Sequence, residues 1–124
     1  MALYKSGEDY LETILILHKK SGFVRAIDIA TEMGYSKPSV SRAVSNLKAD
    51  GLIDVAADGQ ITLTKKGEDT ALSIYDRHEN ITLFLTQLLG VCDETAQEDA
   101  CKIEHVISEE TFLKLKAFIN NYKN

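Results

Sequence analysis

Cys101-Lys102-Ile103-Glu104-His105 places a thiol, a carboxylate and an imidazole within five residues. On a helix, residues three and four apart share a face, so Cys101, Glu104 and His105 project from one side. Sulfur, oxygen and nitrogen donors gathered in one turn suit a divalent transition ion; calcium and magnesium prefer all-oxygen shells. The same residues also fit a half-buried helix face with one core cysteine and two surface polar groups. Other donor-type residues lie upstream. Asp9 and Glu12 are three apart on a predicted helix, and His78 follows Ile74 and Tyr75 by four and three residues. A histidine beside such a stripe also serves as a satisfied core residue, and Glu8 and Asp9 near a helix start also serve as dipole partners. Taken together, three helices each offer an inward-facing donor set.

A second group of residues suits phosphate and base edges. On the helix predicted over 37–49, Val40, Ala43, Val44 and Leu47 form one apolar stripe at i, i+3, i+4 and i+7. The remaining positions, Lys37, Ser39, Ser41, Arg42, Ser45, Asn46 and Lys48, mix cations with small hydrogen-bonding groups, and no carboxylate appears before Asp50. That composition fits a helix in the major groove. Arg42 can bind guanine bidentately, Asn46 can reach a base edge or a phosphate, and Ser36, Ser39 and Ser41 can reach either. A solvated face of an ordinary bundle helix has a similar composition, so the order of elements has to decide.

That order is helical first. Spacing predicts a helix over 4–20, with Leu3, Tyr10, Leu11, Ile14, Leu15 and Leu17 in phase. A short helix follows over 26–33, with Ile27, Ile29 and Ala30 facing in and Gly34 stopping it. Ser36 and Pro38 open the third helix. Runs at 52–55 and 60–63, joined by Ala56-Ala57-Asp58-Gly59, predict a hairpin; Asp58 at its tip would repel a phosphate. Thr64 is expected to cap a long helix running to about Leu89 and ended by Gly90. Asp93 is expected to cap a fifth helix through Ile107, and Ser108 a sixth to about Asn121. Helix, helix, turn, helix, hairpin is the order of a winged helix-turn-helix. The fold expected is mainly α with a small β-hairpin wing, followed by a helical half.

Charge divides in the same way. The 124 residues carry a net charge of −5, but 1–66 hold nine Lys/Arg against eight Asp/Glu and 67–124 hold five against eleven. A near-neutral first half with placed cations can meet DNA, and an acidic second half suits a cation. No apolar run reaches the roughly 18 residues of a membrane span, and the polar N-terminus does not read as a signal peptide. A cytoplasmic protein with reduced cysteines and no membrane association is expected.

The blocks Gly7-Glu8-Asp9-Tyr10-Leu11-Glu12, Ser36-Lys37-Pro38-Ser39-Val40-Ser41, Leu63-Thr64-Lys65-Lys66-Gly67, Arg77-His78-Glu79 and 100–108 carry a family resemblance. Over nearly its whole length the chain resembles the diphtheria toxin repressor family, which includes the manganese transport regulators. The resemblance implies a winged helix-turn-helix DNA-binding domain at 1–66 and a helical metal-binding and dimerisation domain at 67–124. It implies a homodimeric repressor of metal-uptake genes that binds a palindromic double-stranded operator when Fe(II) or Mn(II) is bound. Zn(II) and other divalent ions are expected to substitute in vitro. Carried over by position, the ligands are Asp9, Glu12, His78, Cys101, Glu104 and His105, and Ser36, Pro38 and Arg42 match base-contacting positions.

The chain departs from both branches. The manganese branch has a bridging glutamate at the position of Cys101; the iron branch has a methionine at the position of Asp9. The iron branch also builds an ancillary site with a glutamate at the position of Thr82 and a histidine at that of Gln97, so that site is not expected here. At this length the SH3-like third domain of the iron branch is not expected, and an end short of that of the compact members is expected. The alternative is a winged-helix regulator that does not depend on metal. An enzyme is not expected, because six protein ligands leave little room for an open catalytic position.

Overall fold

The computed structural model describes residues 5–123. Its elements, in chain order, are α1 (Lys5–Ser21), α2 (Ala26–Met33), α3 (Lys37–Ala49), β1 (Ile53–Val55), β2 (Ile61–Leu63), α4 (Lys65–Leu83), a π-helical turn (Phe84–Leu88), α5 (Asp93–Ile103) and α6 (Glu109–Lys123). Contacts divide the chain into two compact units, one up to Leu72 and one from Ser73, a division that falls within α4.

In the first unit, α1 packs on α2, α3 and β2, and α3 packs on β1. The core is built from Leu11, Ile14, Val24, Ile29, Val40, Ile53 and Ile61, all nearly or fully buried. Burying each such side chain contributes about 1.5–3 kcal/mol. Val40 and Leu47 are the buried members of the α3 stripe, which leaves the opposite face to solvent. Ile27, expected to face in, is 52% exposed; only Ile29 and Ala30 of α2 are buried. An eight-residue helix packed along one side has room for a narrow apolar stripe, and Ile27 lies off it. The start of α1 at residue 4 and the packing of Leu3 lie outside the described residues.

The helix ends follow local chemistry. Gly34 ends α2 at φ 71° and donates its N–H to the Ala30 carbonyl at 2.9 Å. Ser36 caps α3, its Oγ accepting from Ser39 N at 3.3 Å, with Pro38 in the first turn. The hairpin pairs β1 and β2 antiparallel, Asp54 opposite Thr62. An additional bridge pairs Val24 with Ile61, so the wing is joined to the segment between α1 and α2. Thr64 caps α4, its Oγ1 accepting from Gly67 N at 3.1 Å and donating to the Gly51 carbonyl at 2.7 Å. Gly67 lies against backbone: a Cβ there would fall 1.9 Å from the Leu52 carbonyl oxygen.

The second unit contains the rest of α4, the π-helical turn, α5 and α6. Ile74, Ile81, Ala96, Ala100, Phe112 and Ile119 are its buried apolar residues. The long helix expected to run unbroken to Leu89 instead widens into the π-helical turn after Leu83. Thr82 Oγ1 donates to the His78 carbonyl at 2.8 Å, and Thr86 Oγ1 to the Thr82 carbonyl at 3.0 Å. Such back-bonding loosens the ordinary ladder just where the wider turn begins. Cys92, rather than Asp93, occupies the N-cap of α5, and Asp93 is the first helical residue. The helix closes at Ile103 instead of Ile107, with Glu104 as its C-cap. Ser108 caps α6 as expected, accepting from Thr111 N at 3.1 Å.

Candidate metal centre and nucleic-acid face

Glu104 sits just past the end of α5, where a regular helix no longer fixes it. Its backbone stays helical (φ −57°, ψ −26°), and its N–H still donates to the Ala100 carbonyl at 2.9 Å. The i, i+3, i+4 geometry of Cys101, Glu104 and His105 therefore survives into the turn. Each of these three offers a ligand atom, all within 4.8 Å of one another. The Glu104 side chain is 0% exposed and lies between two imidazoles. His78 Nδ1 is 3.0 Å from Oε2, and His105 Nε2 is 3.2 Å from Oε1, with the His105 side chain 1% exposed.

A sealed carboxylate is costly unless hydrogen bonds or positive charge compensate it. Oε2 has the His78 contact, but Oε1 accepts no hydrogen bond of proper geometry despite the nearby ring nitrogen. A buried oxygen facing ring nitrogens, with a thiol alongside, is a donor arrangement that a divalent transition cation fits. Asp9 and Glu12 belong to the first unit. Three residues apart on α1, they share a face, and Glu12 is one of two buried charged residues among those described.

The turn holding Glu104 is fixed by a residue that spacing alone did not single out. Arg77, next to His78 on α4, donates from Nη1 to the Ile107 carbonyl at 2.8 Å and to the Glu104 carbonyl at 3.4 Å. Its Nη2 donates to Glu109 Oε2 at 2.9 Å, and the guanidinium carbon lies 5.3 Å from the Phe112 ring centre. Backbone carbonyls carry no sequence signature, so residue spacing does not reveal this role.

On α3, Lys37, Pro38, Ser39, Ser41, Arg42 and Asn46 are all exposed, as is the capping Ser36. Ser36 Oγ also donates to Ser39 Oγ at 2.9 Å, so both hydroxyls serve the cap as well as facing solvent. At the wing tip, Arg25 Nε donates to the Asp58 carbonyl at 3.2 Å, and its Nη2 lies 3.8 Å from Asp58 Oδ2. The expected repulsion between Asp58 and a phosphate is thereby offset by a neighbouring cation.

The model described as iron dependent repressor, N-terminal DNA binding domain, matches residues 2–61. The model described as iron dependent repressor, metal binding and dimerisation domain, matches residues 64–124. The chain belongs to the iron-dependent repressor family. An uncharacterised HTH-type transcriptional regulator of Methanocaldococcus jannaschii is 34% identical over 121 residues, 97% of each chain. The iron-dependent repressor IdeR of Mycobacterium tuberculosis is 34% identical over 119 residues, 96% of this chain and 52% of its own. The solved structure of the manganese regulator SloR aligns with a TM-score of 0.81 at 32% identity, over 97% of this chain and 55% of that one. The chain thus spans about half the length of IdeR and SloR. The iron-dependent repressor family consists of transcriptional repressors, not enzymes. At the two positions where its iron branch is expected to build an ancillary site, this member uses its side chains locally. Thr82 bonds its own helix, and Gln97 Nε2 donates to Asp93 Oδ2 at 2.8 Å. Among the described residues, no helix is long and apolar enough to cross a membrane.

Proposed function

We propose that this chain is a metal-dependent transcriptional repressor that binds a palindromic operator as a homodimer. In this reading residues 1–66 bind DNA and residues 67–124 bind metal and dimerise. Asp9, Glu12, His78, Cys101, Glu104 and His105 would hold Fe(II) or Mn(II). The observation that carries the reading is Glu104, sealed from solvent and bracketed by His78 and His105 beside Cys101. It lies in the half of the chain that matches a metal-binding model.

A bound cation supplies the positive charge that gathers several anionic donors, which otherwise repel one another. As proposed ligands, Asp9 and Glu12 would bring α1 into that set. Because α1 packs on α2, α3 and β2, holding α1 also restrains the recognition helix α3. In a dimer, two α3 helices about 34 Å apart meet successive major grooves. Ser36, Pro38, Arg42 and Asn46 then meet base edges, while Lys37, Ser39 and Ser41 set register along the backbone. The coupling is the difference in cation affinity between DNA-competent and incompetent states.

The donor types divide the choice of metal. The Cys101 thiolate favours Fe(II) or Zn(II); the carboxylates of Asp9, Glu12 and Glu104 favour Mn(II). The second unit also exposes Leu89, Val106, Leu113, Phe118 and Tyr122. A small unit with so much apolar surface is suited to covering by a second copy.

A second reading, a winged-helix regulator that needs no metal, draws on the same contact: His78 Nδ1 and Glu104 Oε2, 3.0 Å apart, can serve as a structural polar contact. Calorimetric titration with Mn(II) separates the two. Stoichiometric uptake that Glu104→Ala abolishes supports the metal site, and no uptake supports the alternative.

A further inference from the structure

We infer that Arg77 is the positioning residue of the metal centre, holding the turn that presents Glu104 and His105; the inference rests on the metal reading above. Helix α5 ends at Ile103, so the backbone of 104–107 lies where helix carbonyls have lost their partners. Hydrogen bonds from Val106 N and Ile107 N converge on a single acceptor, the Ile103 carbonyl, each at 3.0 Å. The Glu104 and Ile107 carbonyls therefore depend on a donor from elsewhere, and Arg77 Nη1 reaches both, at 3.4 and 2.8 Å.

The geometry gives Glu104 two anchors from one turn of α4. His78 meets its carboxylate at 3.0 Å, and the adjacent Arg77 meets its backbone carbonyl. The other end of the guanidinium pairs with Glu109 in the first turn of α6 at 2.9 Å. The Phe112 ring lies beneath it, 5.3 Å from the guanidinium carbon. This partly buried fork, with its side chain 18% exposed, thus joins α4, the ligand turn and α6. A planar guanidinium holds five donors in a rigid, spread fork that can serve two carbonyls and a carboxylate together, whereas an ammonium carries its three donors on one nitrogen. Arg77 points its charge at carbonyls and at Glu109, so it acts through the position of Glu104 and His105.

The test is titration of the full chain with Co(II), followed by its visible ligand-field bands and thiolate charge-transfer band. The metal-free melting curve is recorded beside it. Arg77→Ala should weaken Co(II) affinity by about ten- to a hundredfold, the range for outer-shell partners of metal ligands, and alter the bands. Arg77→Lys should recover part of both. Glu109→Gln, which removes the ion pair but keeps the carbonyl bonds, should lower the melting temperature while leaving affinity and spectrum as in the wild type. A purely structural arginine would lower melting in both Arg77→Ala and Glu109→Gln and leave the Co(II) spectrum and affinity intact, which would overturn the inference. If Arg77→Ala fails to fold, Arg77→Lys decides: wild-type affinity and spectrum in that variant would overturn it equally. Failure of the wild type itself to bind Co(II) would overturn the metal reading and this role with it. Wild-type binding with unaltered Arg77 variants overturns this role alone.

Discussion

Desolvating the Glu104 carboxylate has to be offset by its surroundings, and two imidazoles and a thiol are what the fold supplies. Glu104→Gln keeps the shape and removes the charge. Metal affinity measured by competition with a chelator should fall by more than the roughly hundredfold upper range of an outer-shell change, while circular dichroism keeps its helical signal. In the proposed site Cys101 would tune the choice of ion. Cys101→Ser exchanges a soft donor for a hard one, so the preference for Zn(II) over Mn(II) should shrink in direct competition. Cys92 serves a different test. Its Sγ lies 3.2 Å from Thr95 Oγ1, and that hydrogen bond holds the thiol below its ordinary pKa. A lowered pKa populates the thiolate at lower pH, so alkylation of Cys92 should rise with a midpoint below that of an unperturbed thiol. Thr95→Val should move the midpoint up, and an unchanged midpoint would contradict the assignment. At this scale the sequence was most readable for Cys101, Glu104 and His105, because helical spacing alone puts them on one side. Arg77 was not readable, because its partners are carbonyls some thirty residues away.

Among the elements, the winged helix-turn-helix was legible in order because each boundary has a local signal: Gly34 at a positive φ, Ser36 and Pro38 opening α3, Thr64 opening α4. What escaped depends on contacts that spacing does not encode. The Val24–Ile61 bridge is a pairing between distant segments, and the π-helical turn arises where threonines bond back onto their own helix. The early end of α5 moved Glu104 and His105 from a helix into a turn, yet kept their angular spacing. Gly67 gives the sharpest test of an element junction. A methyl group 1.9 Å from the Leu52 carbonyl forces the start of α4 away from the hairpin. Gly67→Ala should therefore cost about 1–3 kcal/mol in urea denaturation, as overpacked sites do. Wild-type stability would show that the contact relaxes freely. Ser36→Ala removes the α3 cap and should cost about 1 kcal/mol, with weaker DNA binding as the start of the recognition helix frays.

For the molecule as a whole, the near-neutral first half of the chain matches a DNA-binding domain model, and the acidic second half matches a metal-binding and dimerisation domain model. The fold class followed from the order and spacing of the elements, whereas the faces of α6 did not: Phe112 and Ile119 are buried, and Leu113, Phe118 and Tyr122 are exposed. In the proposed mechanism, metal held by the Glu104 cluster controls DNA binding. The direct measurement is the affinity of the chain for operator DNA at fixed ionic strength, with Mn(II) or Fe(II) present and with both removed by chelator, for the wild type and for Glu104→Ala. Coupling of about 1–3 kcal/mol, roughly 5–150-fold in affinity, is expected for the wild type and none for Glu104→Ala. Equal wild-type affinities with and without metal would contradict the account.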